Sequence, residues 1–398
     1  MEKPESFDVV VVGGGPAGAT AATDLARSGA RVLLLERAFR IKPCGGAIPP
    51  RLIEEFAIPQ HLLVARIRSA RMVSPANQRV DMPIADTYVG MVDRETFDPW
   101  LRQRATAAGA VVRTASYKAL ERLADGRVKL TYLDKAGGGG QVSVTTRAVI
   151  GADGARSAVA RDSVPAAAAM KCVFAYHEIV RSPDAGQAAD FDPRRCDVWY
   201  QGRLSPDFYA WVFPHGGQTS IGVGSARRGF SAPDAVRQLR RDVRLDSAAT
   251  LRREGAPIPL RPLKRWDDGR NVVLAGDAAG VVAPASGEGI YYAMLGGRLA
   301  ADAAAAFLAS GDARELKAAR KRFMRQHGRV FWILGLLQRF WYVDDRRREK
   351  FVAMCRDPDV QYLTWQAYTR KELVRARPAA HVKIFFKDLA QLLGLARA

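Results

Sequence analysis

The distribution of apolar and polar residues near the start of the chain predicts a β-α-β unit. Residues 8–12 form a short β-branched run, residues 17–28 have the composition of a helix, and residues 31–36 are apolar again. A strand buried on both faces of a parallel sheet has a continuous apolar run, and a helix connects it to its neighbour. We therefore predict strand, crossover helix and strand.

Three later segments extend this pattern. Residues 271–275 have the apolar run of a buried strand, and residues 149–150 end another strand at a Gly/Asp turn. Residues 94–104 carry Phe97 and Leu101 at helical spacing, which predicts an amphipathic helix. Alternating strands and helices of this kind favour an α/β fold.

Length and charge limit the number of domains and the kinds of partner that we expect. The chain has 398 residues, more than one hydrophobic core usually organises, and 61 Lys/Arg against 41 Asp/Glu give a net charge of +20. Residues 311–398 hold 20 of the basic and nine of the acidic residues. Such a charge favours anionic partners, among them lipid headgroups and diphosphates. No nucleic-acid recognition module accompanies it, so we expect no nucleic-acid partner.

Several classes of protein are not expected. Four scattered cysteines without CxxC spacing argue against disulfide and zinc sites, and five histidines without paired spacing argue against a catalytic metal. The N-terminus lacks the features of a signal peptide, and no apolar stretch reaches the ~20 residues of a membrane span. We expect a cytoplasmic protein.

The first β-turn-α connection carries a dinucleotide-binding motif. Gly13, Gly15 and Gly18 form GxGxxG, with Ala17 inside it. The first glycine permits the tight turn, the second lets the backbone approach a pyrophosphate, and the third lets helix pack on strand. Glu36 ends the second strand, where a carboxylate accepts hydrogen bonds from an adenosine ribose. This motif does not by itself distinguish FAD from NAD.

A second motif favours FAD. Gly276-Asp277 follows the strand at 271–275, and a glycine-rich run occupies residues 285–290. The arrangement resembles the second flavin motif of flavoprotein hydroxylases. The resemblance implies that Asp277 binds the ribitol chain and that backbone amides near Gly287, Gly289 and Ile290 face the pyrimidine edge of the flavin. The alternative is a glycine-rich loop with a capping aspartate.

Two more segments resemble the same superfamily. Residues 149–157 resemble its GADG segment, which supports the fold more than the chemistry. The helix at 94–104 resembles the helix that directs an arginine toward the FAD phosphates, and Arg102 is the residue implied. The alternative is that Arg102 is only a solvated charge on a helix.

Three stretches resemble the geranylgeranyl reductases. They are residues 42–47 (KPCGGA), residues 206–214, which fit PxxYxWxFP, and residues 286–291 (SGEGIY). Residues 340–342, and 357–360 through 381–388, resemble the C-terminal extension of the chlorophyll and bacteriochlorophyll branch. The archaeal lipid-reducing members share the flavin half and the aromatic motif, and they are the alternative within the family.

The resemblance implies reduction of a geranylgeranyl tail to phytyl. The tail is carried by a (bacterio)chlorophyll ester or by the free diphosphate, and all but one of its double bonds are hydrogenated. FAD is the implied cofactor and NADPH the implied electron donor, with a ferredoxin-type donor as an alternative. A flavin monooxygenase and a non-enzymatic isoprenoid carrier are the alternatives from other functional classes.

The resemblance also implies further site residues. One such set is the turn that contains Cys44, Gly45, Gly46 and Ala47. In relatives, the matching turn lies near the flavin. Cys44 is our catalytic candidate, with Lys42 as a cation that favours its thiolate; the alternative is a buried, inert cysteine.

The aromatic motif supplies the candidate substrate-binding residues. Tyr209, Trp211 and Phe213 alternate on a strand, so their side chains share a face. We expect them to line an apolar path for the tail and to stabilise developing positive charge through their π faces. The alternative is ordinary strand core.

These inferences predict a glutathione-reductase/p-hydroxybenzoate-hydroxylase-like α/β fold in three parts. The predicted parts are a discontinuous Rossmann-type FAD domain (1–75, 91–164 and 262–310), an antiparallel β substrate domain (76–90 and 165–261) and a helical basic C-terminal extension (311–398).

The predicted extension carries an apolar helical stripe. Its members recur at helical spacing beside Lys383 and Lys387, and they are Val382, Phe385, Phe386, Leu389, Leu392 and Leu393. Packing against the protein's own body is one reading. The other is peripheral docking at an anionic inner or photosynthetic membrane, or on photosynthetic assembly proteins.

Overall fold

The computed structural model describes residues 4–37, 41–184 and 190–371. The apolar stripe predicted between Val382 and Leu393 lies outside the described residues.

Strands and helices alternate along the described chain. The strands are β1 (Ser6–Val12), β2 (Val32–Glu36), β3 (Ala47–Ile48), β4 (Leu63–Ile67), β5 (Ser69–Val73), β6 (Arg79–Pro83), β7 (Val89–Val92), β8 (Val111–Arg122), β9 (Val128–Asp134), β10 (Gln141–Gly151), β11 (Cys172–Arg181), β12 (Arg195–Trp199), β13 (Ala210–His215), β14 (Gln218–Ser225), β15 (Thr250–Pro259) and β16 (Val272–Leu274). The α-helices are α1 (Pro16–Arg27), α2 (Pro50–Glu55), α3 (Arg94–Ala107), α4 (Ala158–Ser163), α5 (Ala232–Asp242), α6 (Ile290–Ser310), α7 (Ala318–Trp341), α8 (Asp345–Met354) and α9 (Pro358–Arg370). Single 3₁₀ turns occur at Gln60–Leu62, Pro165–Ala169, Gly276–Ala279 and Ala313–Lys317.

The chain folds into two compact units, each built from three segments. Among the described residues, the first unit contains the segment that ends at Lys42, Arg94–Cys172 and Pro257–Gly335, and the second contains Pro43–Asp93, Val173–Ala256 and the segment from Leu336 to Lys371. Residues 43–75, which the sequence analysis assigned to the FAD domain, thus lie in the second unit, because β4 pairs with β7 and β5 pairs with β12. The predicted three-part division stays a prediction.

The first unit contains a parallel sheet with strand order β8-β2-β1-β10-β16. In the centre, Val11 pairs with Leu34 on one side and Ile150 on the other, and all three are fully buried. The long strands β8 and β10 continue beyond this sheet and pair with β9 in antiparallel fashion. The predicted β-α-β unit and the α/β class are confirmed.

Helix α1 crosses from β1 to β2 and packs closely against α6. A Cβ atom on Gly297 of α6 would lie 2.1 Å from the backbone oxygen of Ala17. The two helices therefore touch at their backbones, which only glycine at position 297 allows. Small alanine side chains on both helices allow this close approach, and most residues of α1 are buried.

The second unit contains a seven-stranded sheet with order β15-β11-β14-β13-β12-β5-β6. The described pairings are antiparallel except that of β12 with β5, which is parallel. Alternation along β13 sends Val212 to a core that includes Leu239 of α5, whereas Phe213 packs against Met91 and Cys196. β13 is therefore covered on both faces.

Helix α8 is joined to the second unit by a buried arginine. Arg348 is 2% exposed and donates to the carboxylate of Asp345 at 2.7 Å and to the backbone oxygens of Tyr342 and Pro206 at 2.6 and 2.5 Å. Along the described chain, no helix combines the length and the apolar character that crossing a membrane requires.

Candidate functional site

A cavity of about 510 Å³ lies in the first unit, where β1 and β2 end. The carboxyl ends of parallel strands are the usual ligand position in folds of this class. Six of the residues predicted to bind FAD line it, namely Gly13, Gly15, Ala17, Glu36, Arg102 and Asp277. Sequence motifs that are far apart along the chain thus converge on one space.

The GxGxxG loop has little room for side chains. Gly13 has φ +102°, and a Cβ there would lie 2.4 Å from the backbone oxygen of Ala152. A Cβ on Gly18 would lie 1.8 Å from the backbone oxygen of Gly13. At Gly15 the nearest atom would be 3.9 Å away, so the backbone is open at that point. The first and third glycines close the turn, and the second leaves the cavity accessible.

Helix α1 begins at this open point. Pro16 is its first residue and Gly15 its cap, so no cap side chain bonds the first backbone amides. Amides at a helix N-terminus, together with the positive end of the helix dipole, bind phosphate oxygens. This part of the cavity fits a diphosphate.

Two charged side chains hold the loop at Gly14. The Glu36 carboxylate accepts a hydrogen bond from the Gly14 backbone N–H at 2.7 Å, and the Arg102 guanidinium donates to the Gly14 backbone oxygen at 3.2 Å. A Cβ on Gly14 would lie 2.9 Å from Cδ of Arg102. The structure therefore brings both predicted residues to the dinucleotide loop.

A second arginine on α3, which was not predicted from the sequence, also lies at the cavity. Arg94 donates to both carboxylate oxygens of Asp98, at 2.6 and 2.7 Å, and the two side chains are 5% and 13% exposed. Both residues line the cavity. Their i, i+4 spacing is visible in the sequence, but it does not reveal that the pair is buried.

Asp277 stands at the other end of the cavity, in the 3₁₀ turn after β16. Its carboxylate receives a hydrogen bond from Lys42 Nζ at 2.6 Å, and a Cβ on Gly289 would lie 3.8 Å from its Oδ1. Helix α6 begins next to it at Ile290 without a side-chain cap. The structure thus brings Asp277 and Gly289 of the glycine-rich run together, and it gives Lys42 a partner that had no signal in the sequence.

A further acidic group lies in the cavity wall. Asp153, from the GADG segment, accepts hydrogen bonds from the Ser157 hydroxyl and from the Ala158 backbone N–H and so caps α4. Burial raises the pKa of Asp153, although these hydrogen bonds act in the opposite direction. Near it, the Tyr117 hydroxyl donates to Asp162, and burial together with that carboxylate raises the pKa of Tyr117.

In the second unit, the predicted turn from Cys44 to Ala47 packs against the end of β13. Gly46 has φ +71°, and a Cβ there would lie 2.4 Å from His215 Nε2; a Cβ on Gly45 would lie 3.2 Å from the Phe213 ring. The Gly46 backbone N–H donates to Cys44 Sγ at 3.4 Å. The structure therefore brings the turn and the aromatic strand together.

The aromatic residues of the motif form a continuous row. Ring centroids of Tyr209 and Trp211 are 6.0 Å apart, and those of Trp211 and Phe213 are 6.2 Å apart. Tyr209 and Trp211 are buried, whereas Phe213 is half-buried. The shared face predicted from alternation is present in the fold.

The histidines beside this row have separate environments. His215 Nδ1 lies 3.0 Å from the Phe213 backbone oxygen, and burial lowers the pKa of His215. His177 lies between Ser220 and Glu254 in hydrogen-bonding range of both. Within the described ranges, no group of three or more His, Cys, Asp or Glu side chains is arranged to hold a metal ion.

Comparison with known proteins gives one family and two informative relatives. The family described as "FAD binding domain" matches residues 6–326. The chain is 55% identical over 389 residues to the geranylgeranyl diphosphate reductase of Rhodobacter capsulatus, covering 98% of each protein. It is 32% identical over 348 residues to digeranylgeranylglycerophospholipid reductase 2 of Methanopyrus kandleri, covering 82% of this chain and 84% of the relative.

A solved structure shares the fold. The geranylgeranyl bacteriochlorophyll reductase-like protein of Thermoplasma acidophilum superposes with a TM-score of 0.81 at 22% identity, covering 95% of this chain and all of that one. At this identity the likeness extends to the fold alone. Together with the match to the FAD-binding family, it confirms the predicted fold class.

Proposed function

Since the chain belongs to the geranylgeranyl reductase family of FAD-binding proteins, we propose that it reduces a geranylgeranyl tail to phytyl. The tail is carried by a (bacterio)chlorophyll ester or by geranylgeranyl diphosphate. The observation that carries this proposal is 55% identity over 98% of both proteins to a geranylgeranyl diphosphate reductase. The archaeal lipid reductase is less similar over a smaller share of the chain, so it supports tail reduction but not an archaeal lipid substrate.

FAD is the cofactor, and the cavity of the first unit has the features it requires. The open backbone at Gly15 and the uncapped start of α1 fit the diphosphate. Glu36 would accept hydrogen bonds from the adenosine ribose, Arg102 would contribute positive charge, and Asp277 would hold the ribitol hydroxyls. When reduced, FAD supplies a hydride.

The protein must also stabilise positive charge in a dry environment. An isolated trisubstituted alkene accepts hydride poorly, and protonation of the other carbon develops positive charge at the more substituted centre. The row formed by Tyr209, Trp211 and Phe213 offers adjacent π faces and little access to water. We assign these three residues to the path of the tail.

We assign Cys44 a role in the reduction itself. Its thiol is half-buried and accepts a hydrogen bond from Gly46, in a turn that resembles the flavin-facing turn of relatives. Cys44→Ala should keep bound FAD and lower the rate of alkene reduction. Cys355→Ala is the control, because Cys355 is also a free thiol and lies in the same unit as Cys44. Equal turnover of both variants and the wild type would remove Cys44 from the mechanism.

NADPH is the proposed electron donor. The sequence contains no second complete GxGxxG loop, so the nicotinamide would bind transiently. Anaerobic mixing with NADPH should bleach the flavin absorbance. Bleaching of the flavin absorbance by a reduced ferredoxin but not by NADPH would show that a ferredoxin-type protein, and not NADPH, is the electron donor.

We further propose that the protein meets its substrate at an anionic membrane surface. Trp332 on α7 is 71% exposed, and Arg325 and Arg329 are exposed about two turns and one turn before it. Tryptophan at the headgroup level and arginines facing anionic lipid are a favourable combination. Trp332→Ser should reduce co-flotation with anionic vesicles, whereas Phe174→Ser, which removes another exposed aromatic ring, should not. Equal flotation of both variants would contradict this proposal.

The function is tested by giving the anaerobically reduced protein three substrates in parallel. They are geranylgeranylated bacteriochlorophyll, geranylgeranylated chlorophyll and free geranylgeranyl diphosphate, and the mass of the tail is followed. We expect gains in steps of two hydrogens on at least one of them. Absence of any gain would refute the proposal. Oxygen consumption coupled to an aromatic substrate would instead indicate a monooxygenase, and a preparation without flavin absorbance would indicate a carrier.

A further inference from the structure

A buried chain of hydrogen bonds ends at the indole of Trp211 in the second unit. Trp211 Nε1 donates to Ser220 Oγ at 3.0 Å, Ser220 Oγ lies 2.8 Å from His177 Nδ1, and His177 Nε2 lies 3.1 Å from Glu254 Oε2. Trp211, Ser220 and His177 are 6%, 0% and 3% exposed. The chain of contacts therefore lies almost entirely out of water.

The donors and acceptors in this chain have one consistent arrangement around a neutral histidine. The indole N–H only donates, so Ser220 Oγ must accept from it. The Ser220 hydroxyl can then donate to His177 Nδ1, and His177 Nε2–H donates to the carboxylate of Glu254. Each group in the chain is satisfied, which is what burial of polar groups demands. Removing one member would leave its neighbours without that partner.

The shape of the neighbouring strand holds the same indole. Gly222 of β14 pairs with Trp211, and a Cβ at Gly222 would lie 2.2 Å from Cζ2 of the indole and 2.6 Å from Cβ of His177. The indole therefore lies directly on the backbone of β14, in a slot that only glycine leaves open. The position of the indole ring is therefore set by Gly222 on one side and by the hydrogen bond from its Nε1 to Ser220 at its polar edge.

The far end of the chain is fixed by charge. The Glu254 carboxylate, which accepts from His177, also lies 3.2 Å from Nε of Arg252, and Arg252 Nη2 lies 3.8 Å from Asp93. Glu254 is 14% exposed and is held from two sides. Since a buried, paired carboxylate keeps its position, it anchors His177 and, through it, Ser220.

We propose that Ser220, anchored by His177 and Glu254, is a positioning residue that fixes the Trp211 ring within the row of Tyr209, Trp211 and Phe213. The orientation of this ring determines how far an isoprenoid tail advances along the row of aromatic rings. It thereby determines which double bond of the tail is placed for reduction. This inference rests on the proposed function. It makes Ser220 a determinant of how completely the tail is reduced.

The test is a double-mutant cycle with Ser220→Ala and Trp211→Phe. Phenylalanine keeps an aromatic ring but has no N–H to donate. We expect each single variant to raise the KM for the tail by roughly tenfold, which corresponds to one buried hydrogen bond. Each should also accumulate partly reduced tails. Because Ser220 acts through Trp211, the double variant should be no worse than Trp211→Phe alone.

Two further variants separate positioning from a general loss of structure. Ser220→Thr keeps the hydroxyl and should restore the complete product. His177→Leu, which removes the acceptor from Ser220, should reproduce the partly reduced tails and serves as the test if Ser220→Ala does not fold. FAD content and the thermal midpoint are measured for every variant. The FAD content should be unaffected, because FAD binds in the first unit.

The outcomes separate the inference from the function on which it rests. Wild-type protein that adds no hydrogen to any tail would overturn the proposed function. Tail reduction by the wild type, with unchanged KM and product in Ser220→Ala, would overturn the role of Ser220. Additive losses in the double variant would also overturn it, because Ser220 would then act independently of Trp211.

Discussion

Removal of the Glu36 carboxylate should weaken FAD binding. Glu36 accepts a hydrogen bond from the Gly14 N–H at 2.7 Å and stands at the end of β2, where a carboxylate binds the ribose. Glu36→Ala removes both contributions, whereas Glu36→Gln keeps the shape but loses the charge. Hydrogen bonds to a charged group contribute about 1.5–3 kcal/mol, roughly twice the value for neutral pairs.

That free energy predicts the change in affinity. Glu36→Ala should raise the Kd for FAD by about tenfold to a hundredfold, and Glu36→Gln by several-fold less, since about 1.4 kcal/mol corresponds to a factor of ten. The Kd is measured by titrating the apoprotein with FAD and following the quenching of flavin fluorescence. Glu121→Ala is the control, because Glu121 lies in the same unit with its side chain 71% exposed. A Kd for Glu36→Ala equal to that of the control would mean that the adenosine does not bind at β2.

Three further predictions concern charge, backbone shape and pH. Lys42→Met should leave the buried Asp277 without its cation and change the flavin midpoint potential and FAD affinity, whereas Lys42→Arg should retain both; potentiometric titration of the bound flavin tests this. Gly46→Ala should lower the thermal midpoint of the protein, because φ is +71° and the added Cβ meets backbone as well as His215; an unchanged midpoint in calorimetry would refute the steric argument. Burial lowers the pKa of His215 below its usual 6.5, so the folded protein binds this proton less tightly than the unfolded chain. The contribution of neutral His215 to stability is present above pH 6.5 and is lost as pH falls through the lowered pKa. The free energy of unfolding, measured with urea at pH values on either side of 6.5, should therefore depend less on pH in His215→Gln than in the wild type. The variant His61→Gln, at an exposed site, should keep the wild-type pH dependence.

The motifs that the sequence revealed are those that depend on backbone shape. Gly13 and Gly18 are readable because a Cβ at either position would collide with backbone, and Gly15 because it leaves the backbone open to a ligand. The run of apolar residues in β1 predicted a central strand for a similar local reason. The residues that line the cavity proposed for FAD could therefore be predicted in part from the sequence.

Pairings between distant side chains had no such signal. Lys42 and Asp277 are separated by 235 positions, and nothing near either residue indicates the other. The contact of Ser220 with Trp211 spans only nine positions, yet it depends on the register of β13 against β14, which the alternation pattern does not specify. Geometry across strands supplies these contacts, so they appeared only in the fold.

Both units use the same device to place a functional side chain against backbone. Gly14 lies beneath Arg102 and Glu36 in the first unit, and Gly222 lies beneath Trp211 in the second. In each case the missing Cβ lets a large side chain approach the main chain. A hydrogen bond that Arg102 donates to the Gly14 backbone oxygen, and one that Trp211 donates to Ser220 Oγ, then set the directions of these side chains. A glycine at such a position therefore lets a neighbouring large side chain lie directly on the backbone. This explains why glycines dominate motifs whose chemistry belongs to other residues.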